Sequence, residues 1–73
     1  MKVHEMKAEF VANELTALLR KIDKTIDRAE YIAQSDGEEF VKVYGANDRM
    51  VKRVCVTADS LCAITLDVLR AIG

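Results

Sequence analysis

Apolar positions recur along the first half of the chain at Ala8, Val11, Leu15, Leu18, Ile22, Thr25, Ala29 and Ile32, with Thr25 the one polar member. They lie alternately three and four residues apart, the seam of an α-helix. A second line, Ala12, Leu19, Ile26 and Ala33, runs beside the first. Together they make a stripe wider than a two-stranded coiled coil uses, closer to that of a core-facing helix. No glycine or proline interrupts residues 1–35, and Gly37 after Ser35-Asp36 reads as the glycine that ends the helix. The pattern predicts one helix over about residues 6–35, starting somewhere between Lys2 and Glu9.

Beyond Glu39 the pattern changes. Phe40-Val41-Lys42-Val43-Tyr44 and Met50-Val51-Lys52-Arg53-Val54-Cys55-Val56 are β-branched and aromatic runs separated by Gly45-Ala46-Asn47-Asp48. They predict a hairpin, with strands over about 39–45 and 49–56. With Ala46 to Asp48 as a three-residue loop, Val41, Val43, Val51 and Cys55 would share one face, interrupted by Arg53. The other would carry Phe40, Tyr44, Met50, Val54 and Val56, with Lys42 and Lys52 among them. The turn lacks an Asn-Gly pair, so the register is open by one residue. Thr57 is placed to cap a last helix over about 58–72, with Asp59 in its first turn, where the helix dipole favours a negative charge. The expected fold is α+β in a single domain, residues 1–73: a long N-terminal helix, a two-stranded antiparallel hairpin and a C-terminal helix (α-β-β-α).

This shape argues for a partner. A helix of about 28 residues runs about 42 Å, whereas a compact chain of this length is only about 30 Å across. The overhanging stripe would need cover, and so would the last helix, where Cys62, Leu66 and Leu69 point away from Leu61, Ile64, Val68 and Ile72. An intertwined homodimer is the favoured solution, with Leu15, Leu19, Ile22, Ile26, Leu66 and Leu69 as its expected interface. The competing solution is a first helix broken near Asn13, letting one intramolecular core absorb everything.

Composition supports assembly by elimination. Seventy-three residues form a marginal core, which small folds reinforce with disulfides, a metal or a second copy. The N-terminus carries no apolar leader and there are only two cysteines, so a reducing, cytoplasmic setting is expected. A single histidine, His4, and two cysteines seven apart make no metal site, and no cofactor is expected. No stretch approaches the roughly 20 apolar residues of a membrane span.

Candidate chemistry is sparse. Free cysteines usually serve as small buried hydrophobes, the expectation for Cys55 and Cys62. His4 has no evident acid or nucleophile beside it. Asp59 and Asp67, eight apart on one helix, would stand about 12 Å apart, too far for joint work on one bond. No glycine-rich loop signals a phosphate cradle. No catalytic residue is assigned and an enzyme is not expected. Arg20, Lys24 and Arg28 fall four apart, but Asp23, Asp27 and Glu30 interleave and would pair with them.

Lys42, Arg49, Lys52 and Arg53 make the hairpin basic. Such a ribbon suits nucleic acid, with Tyr44 available to stack on a base. It equally suits an edge charged against aggregation, the reading preferred for a chain with 11 basic and 12 acidic residues. The sequence therefore favours a non-enzymatic protein-interaction or regulatory module acting as a homodimer. The alternative is a nucleic-acid-binding regulator, which requires the four hairpin charges to converge on one surface, preferably contiguous with Arg20 and Lys24.

Overall fold

A computed structural model describes residues 2–73. The first helix is a single rod, α1 (Val3–Phe10) passing through a π-helical stretch (Val11–Leu15) into α2 (Thr16–Ile22). Three strands follow, β1 (Ile26–Ala33), β2 (Glu39–Gly45) and β3 (Met50–Cys55), and then α3 (Leu61–Ile72). The strands form an antiparallel meander in the order β1-β2-β3.

The fold is α+β as expected, but the sheet has three strands where a hairpin of two was predicted. Residues 26–33 are a strand, and the helix expected over 6–35 stops at Ile22. Asp23 stops it without glycine or proline. Its Oδ1 accepts the Thr25 N–H (2.9 Å) and hydroxyl (2.6 Å), and the Ile26 N–H reaches the Asp23 carbonyl at 3.1 Å. This Asx turn offers the backbone an alternative to the next helical turn. Gly37, φ +92°, lies in the β1–β2 turn and does not end a helix. Asp36 accepts the Glu38 N–H there.

The stripe continues to look helical past Asp23 because β1 is irregular. A register shift between Ile26 and Arg28 puts Ile26 and Ala29, three apart, on the same buried face. The helix and strand are tied at Thr16. Its hydroxyl accepts the Ala29 N–H (3.0 Å) and donates to the Val11 carbonyl (2.8 Å), five residues back across the π-helical stretch. An outward N–H of the β1 edge is thereby satisfied within the chain.

The loop after β2 is Ala46–Asp48, as expected, with Asn47 and Asp48 both at positive φ (59° and 58°). A bulge then offsets β3 against β2. Tyr44 pairs with Met50, but Val43 pairs with Lys52, leaving Val51 as the extra residue. One residue of slip exchanges faces. Val41 and Val43 therefore share the buried face with Val54 and Val56, and Arg53 and Cys55 lie beside Phe40 on the other side.

Both helices pack on that one face. The core comprises Val11, Leu15 and Leu19 from the first helix, Ile26 and Ala29 from β1, the four β2–β3 valines, and Ile64 and Val68 from α3. The last helix starts later than expected. Ser60 caps it, accepting the Ala63 N–H at 3.1 Å, while Thr57 accepts the Glu39 N–H and donates to Glu38 Oε2. The molecule measures 31 × 21 × 20 Å, so no helix overhangs it. Of the expected interface residues, Leu15, Leu19 and Ile26 are buried within the one chain, Leu69 is half-buried, and Ile22 and Leu66 are exposed.

Candidate nucleic-acid interface

With both helices on one face, the other face of the sheet is open. Cross-strand partners lie on the same side of a sheet, so the register writes this face in three rows. Ile32, Phe40 and Cys55 form one, Glu30, Lys42 and Arg53 the next, and Arg28, Tyr44 and Met50 the third. Phe40, Lys42 and Tyr44 occupy alternate positions of the central strand, so the two rings stand about 13 Å apart with the lysine between them.

Each ring carries a guanidinium. Arg53 lies over Phe40 with its central carbon 3.9 Å from the ring centroid, and Arg28 lies over Tyr44 at 4.3 Å. The two arginines differ in what else holds them. Arg28 is fixed by Glu30 (2.9 Å) and Asp48 (2.7 Å), and hydrogen bonds to these carboxylates raise its pKa. Among the described residues neither Arg53 nor Lys42 forms an ion pair. They face one another across β2 and β3 as like charges, an arrangement that costs stability until an anion relieves it.

Three further basic residues, Arg20, Lys24 and Arg49, gather at the end of the sheet next to this face. Lys24 and Arg49 line a cleft of about 810 Å³ with Thr25, Gly45, Met50 and Val51. Arg20 and Lys24 line an adjoining hollow with Asp27 and Ala46. Gly45 is needed where β2 enters this region, since a Cβ there would stand 3.0 Å from the Thr25 carbonyl oxygen. Taken together, residues 20–28 and 42–53 hold eight of the 11 basic residues and three of the 12 acidic ones. These two segments are thus basic and the rest of the near-neutral chain acidic, with Glu30 joining the row of Lys42 and Arg53. The expected pairing of Arg20 and Lys24 with Asp23 and Asp27 along one helix does not arise, because the chain turns at Asp23.

At the other end one buried carboxylate is closely satisfied. Glu39, only 6% exposed, accepts hydrogen bonds from Lys7 Nζ (2.7 Å), the Tyr31 hydroxyl and the Ala58 N–H (2.9 Å). Lys7, then Tyr31 and Ala58, lower its pKa to about 2, so Glu39 is no proton acceptor near neutrality. Burial and the Glu39 hydrogen bond push the Tyr31 hydroxyl well above its usual range. Asp59 precedes α3 and does not share a helix with Asp67, so the 12 Å separation expected for two residues on one helix does not apply. Interaction with the Asp67 carboxyl, then burial, raises the Asp59 pKa to about 6. Its Oδ2 is buried without a donor from the protein.

The other candidates lie apart. Cys55 and Cys62 are both exposed, not buried as expected. Cys55 sits at the rim of the open face, and Cys62 lies on the outer side of α3, where Ile64 and Val68 take the inward positions. His4 meets Tyr31 edge-on, ring centroids 6.1 Å apart. Among the described residues no group of His, Cys, Asp or Glu is arranged to hold a metal ion, and no helix is long and apolar enough to cross a membrane. Comparison with protein-family models, curated proteins and solved structures returns no match.

Proposed function

We propose that this chain is a small non-enzymatic binding module that takes a nucleic acid on its basic end and the adjoining open sheet face. The observation carrying this reading is the clustering of five charges, although Lys52, paired with the buried Val43, lies on the opposite face of the sheet and does not join them. Lys42 and Arg53 are cross-strand neighbours, and Arg49 shares a cleft with Lys24, which in turn adjoins Arg20. A phosphate backbone is the polyanion such a patch suits, and binding it releases counterions. The test is titration of labelled oligonucleotides at several salt concentrations. The logarithm of the binding constant should fall with the logarithm of salt by about 0.7 to 0.9 per phosphate neutralised. The double variant Lys24→Glu, Arg49→Glu should flatten that slope. Binding weaker than roughly 100 μM at 50 mM salt, below ordinary non-specific affinity, would refute the reading.

A homodimeric protein-interaction module is the second reading. It rests on Leu18 and Ile22, one helical turn apart and 38% and 58% exposed, and on Leu66 at 46%. Sedimentation equilibrium separates it from a monomer of 8.2 kDa.

A further inference from the structure

We infer that the nucleic acid is single-stranded and that its bases stack on the open face, principally on Phe40. This rests on the nucleic-acid reading above and adds the class of ligand. Charge alone would serve a duplex equally well, since both forms present phosphates. The rings do not. A duplex keeps its base faces stacked on one another, so rings on a sheet face, here half-buried beneath their arginines, find stacking partners only in unpaired bases. Phe40 and Tyr44, about 13 Å apart on one strand, match two bases separated along an extended strand. Lys42 lies between them, where a backbone phosphate would run.

The two rings are unequal. The Tyr44 ring is covered by an arginine that Glu30 and Asp48 hold in place, so opening it breaks two charged hydrogen bonds. The Phe40 ring is covered by Arg53, which among the described residues has no carboxylate to release. Arg53 can lift so that a base enters between guanidinium and ring, keeping its cation–π contact with the base and gaining a phosphate within reach. Its neighbour Lys42 loses an uncompensated like charge in the same event. Phe40 is therefore the primary stacking site and Tyr44 the secondary one.

The test compares DNA and RNA 12-mers, single-stranded and as blunt duplexes, against the wild type, Phe40→Ala, Phe40→Trp and Tyr44→Ala at 50 mM salt. The single strand should bind at least tenfold more tightly than the duplex. Phe40→Ala should weaken single-strand binding at least fivefold and Tyr44→Ala by less, with duplex binding unchanged. Phe40→Trp should retain affinity, and its indole, the only one in the chain, should be quenched as the strand binds. Should Phe40→Ala fail to fold, the quenching and Tyr44→Ala decide. If Phe40→Ala binds like wild type, or the indole is not quenched, stacking is wrong while a slope flattened by Lys24→Glu, Arg49→Glu would keep the nucleic-acid reading. Duplex affinity equal to or above that of the single strand overturns the inference in the same way. No binding of any oligonucleotide overturns both.

Discussion

Replacing Lys7 by methionine tests the account of the buried Glu39 carboxylate most directly. The Lys7–Glu39 pair joins the first helix to the central strand at 2.7 Å, with side chains 9% and 8% exposed. Methionine keeps most of the aliphatic length and removes only the charge, leaving Glu39 buried with the Tyr31 hydroxyl and the Ala58 N–H. Two routes give the size of the loss. Breaking one side of a buried pair usually costs about 3–5 kcal/mol. The Glu39 pKa, lowered from 4.5 to about 2, corresponds at about 1.4 kcal/mol per unit to roughly 3 kcal/mol. That figure is shared among three donors of which Lys7 is the largest, so about 2–3 kcal/mol is expected for Lys7→Met. A domain of this size is stable by only about 4–11 kcal/mol, and the shift should be plain in urea denaturation at pH 7.

The pH dependence carries a second check. In the wild type the unfolded Glu39 takes up a proton near 4.5 and the folded one only near 2. Between those values the unfolded state binds more protons, so the Glu39 contribution is present above about pH 4.5 and lost on further acidification. Without Lys7 the folded pKa rises towards the unfolded one, and the difference between variant and wild type should narrow by pH 3. The double variant Lys7→Met, Glu39→Gln should recover most of the loss, because no buried charge is left alone and the amide oxygen still accepts from Tyr31 or Ala58. A change below about 1 kcal/mol at pH 7, or a double variant no better than the single one, would refute the reasoning.

Two further outcomes follow from neighbouring geometry. Ser60→Ala should cost about 0.5–2 kcal/mol in the same denaturation assay, since it removes the side-chain acceptor at the start of α3. Asp59 works in the opposite sense to Glu39: its folded pKa near 6 lies above its unfolded value, so its contribution is present below about pH 3.8 and lost as pH rises towards 6. With screening at its open side this amounts to about 1–2 kcal/mol, and Tm should be higher at pH 5 than at pH 7.5, a difference that Asp59→Asn abolishes.

The hairpin and the last helix were legible in outline because each is bounded by local chemistry, β-branched runs around Ala46–Asp48 and a hydroxyl ahead of an apolar run, though the cap is Ser60 and not the expected Thr57. The first strand was not, for a definable reason. A three-and-four spacing counts as helical only while no turn intervenes, and the turn here is an Asx turn at Asp23 with neither glycine nor proline to mark it. The bulge after Ile26 then preserved the helical spacing inside a strand. The Asp23-Lys24-Thr25 stretch, with two basic residues just before it, was the available signal. The candidate surface depended on a similar detail. Which face Arg53 occupies is decided by the single extra residue Val51, and a turn without Asn-Gly does not reveal it. The segregation of charge was hidden altogether, since a net charge near zero says nothing about placement.

That placement bears on the edge-protection reading of the hairpin. Charges that blunt an edge belong on the edge strand, and Lys52 and Arg53 on β3 meet that description, helped by the bulge at Val51. Lys42 does not. It lies on the central strand, paired on both sides, where no edge exists to protect, and it faces Arg53 as a like charge without a carboxylate between them. The one carboxylate in its row, Glu30, is turned to Arg28. Glu39 has three donors and Arg28 two short carboxylate contacts, whereas Lys42, like most basic residues of the chain, has no ion pair among the described residues. Edge protection thus accounts for half of the basic row and leaves Lys42 without a role, whereas an anionic strand laid over Phe40, Lys42 and Tyr44 gives both halves the same one.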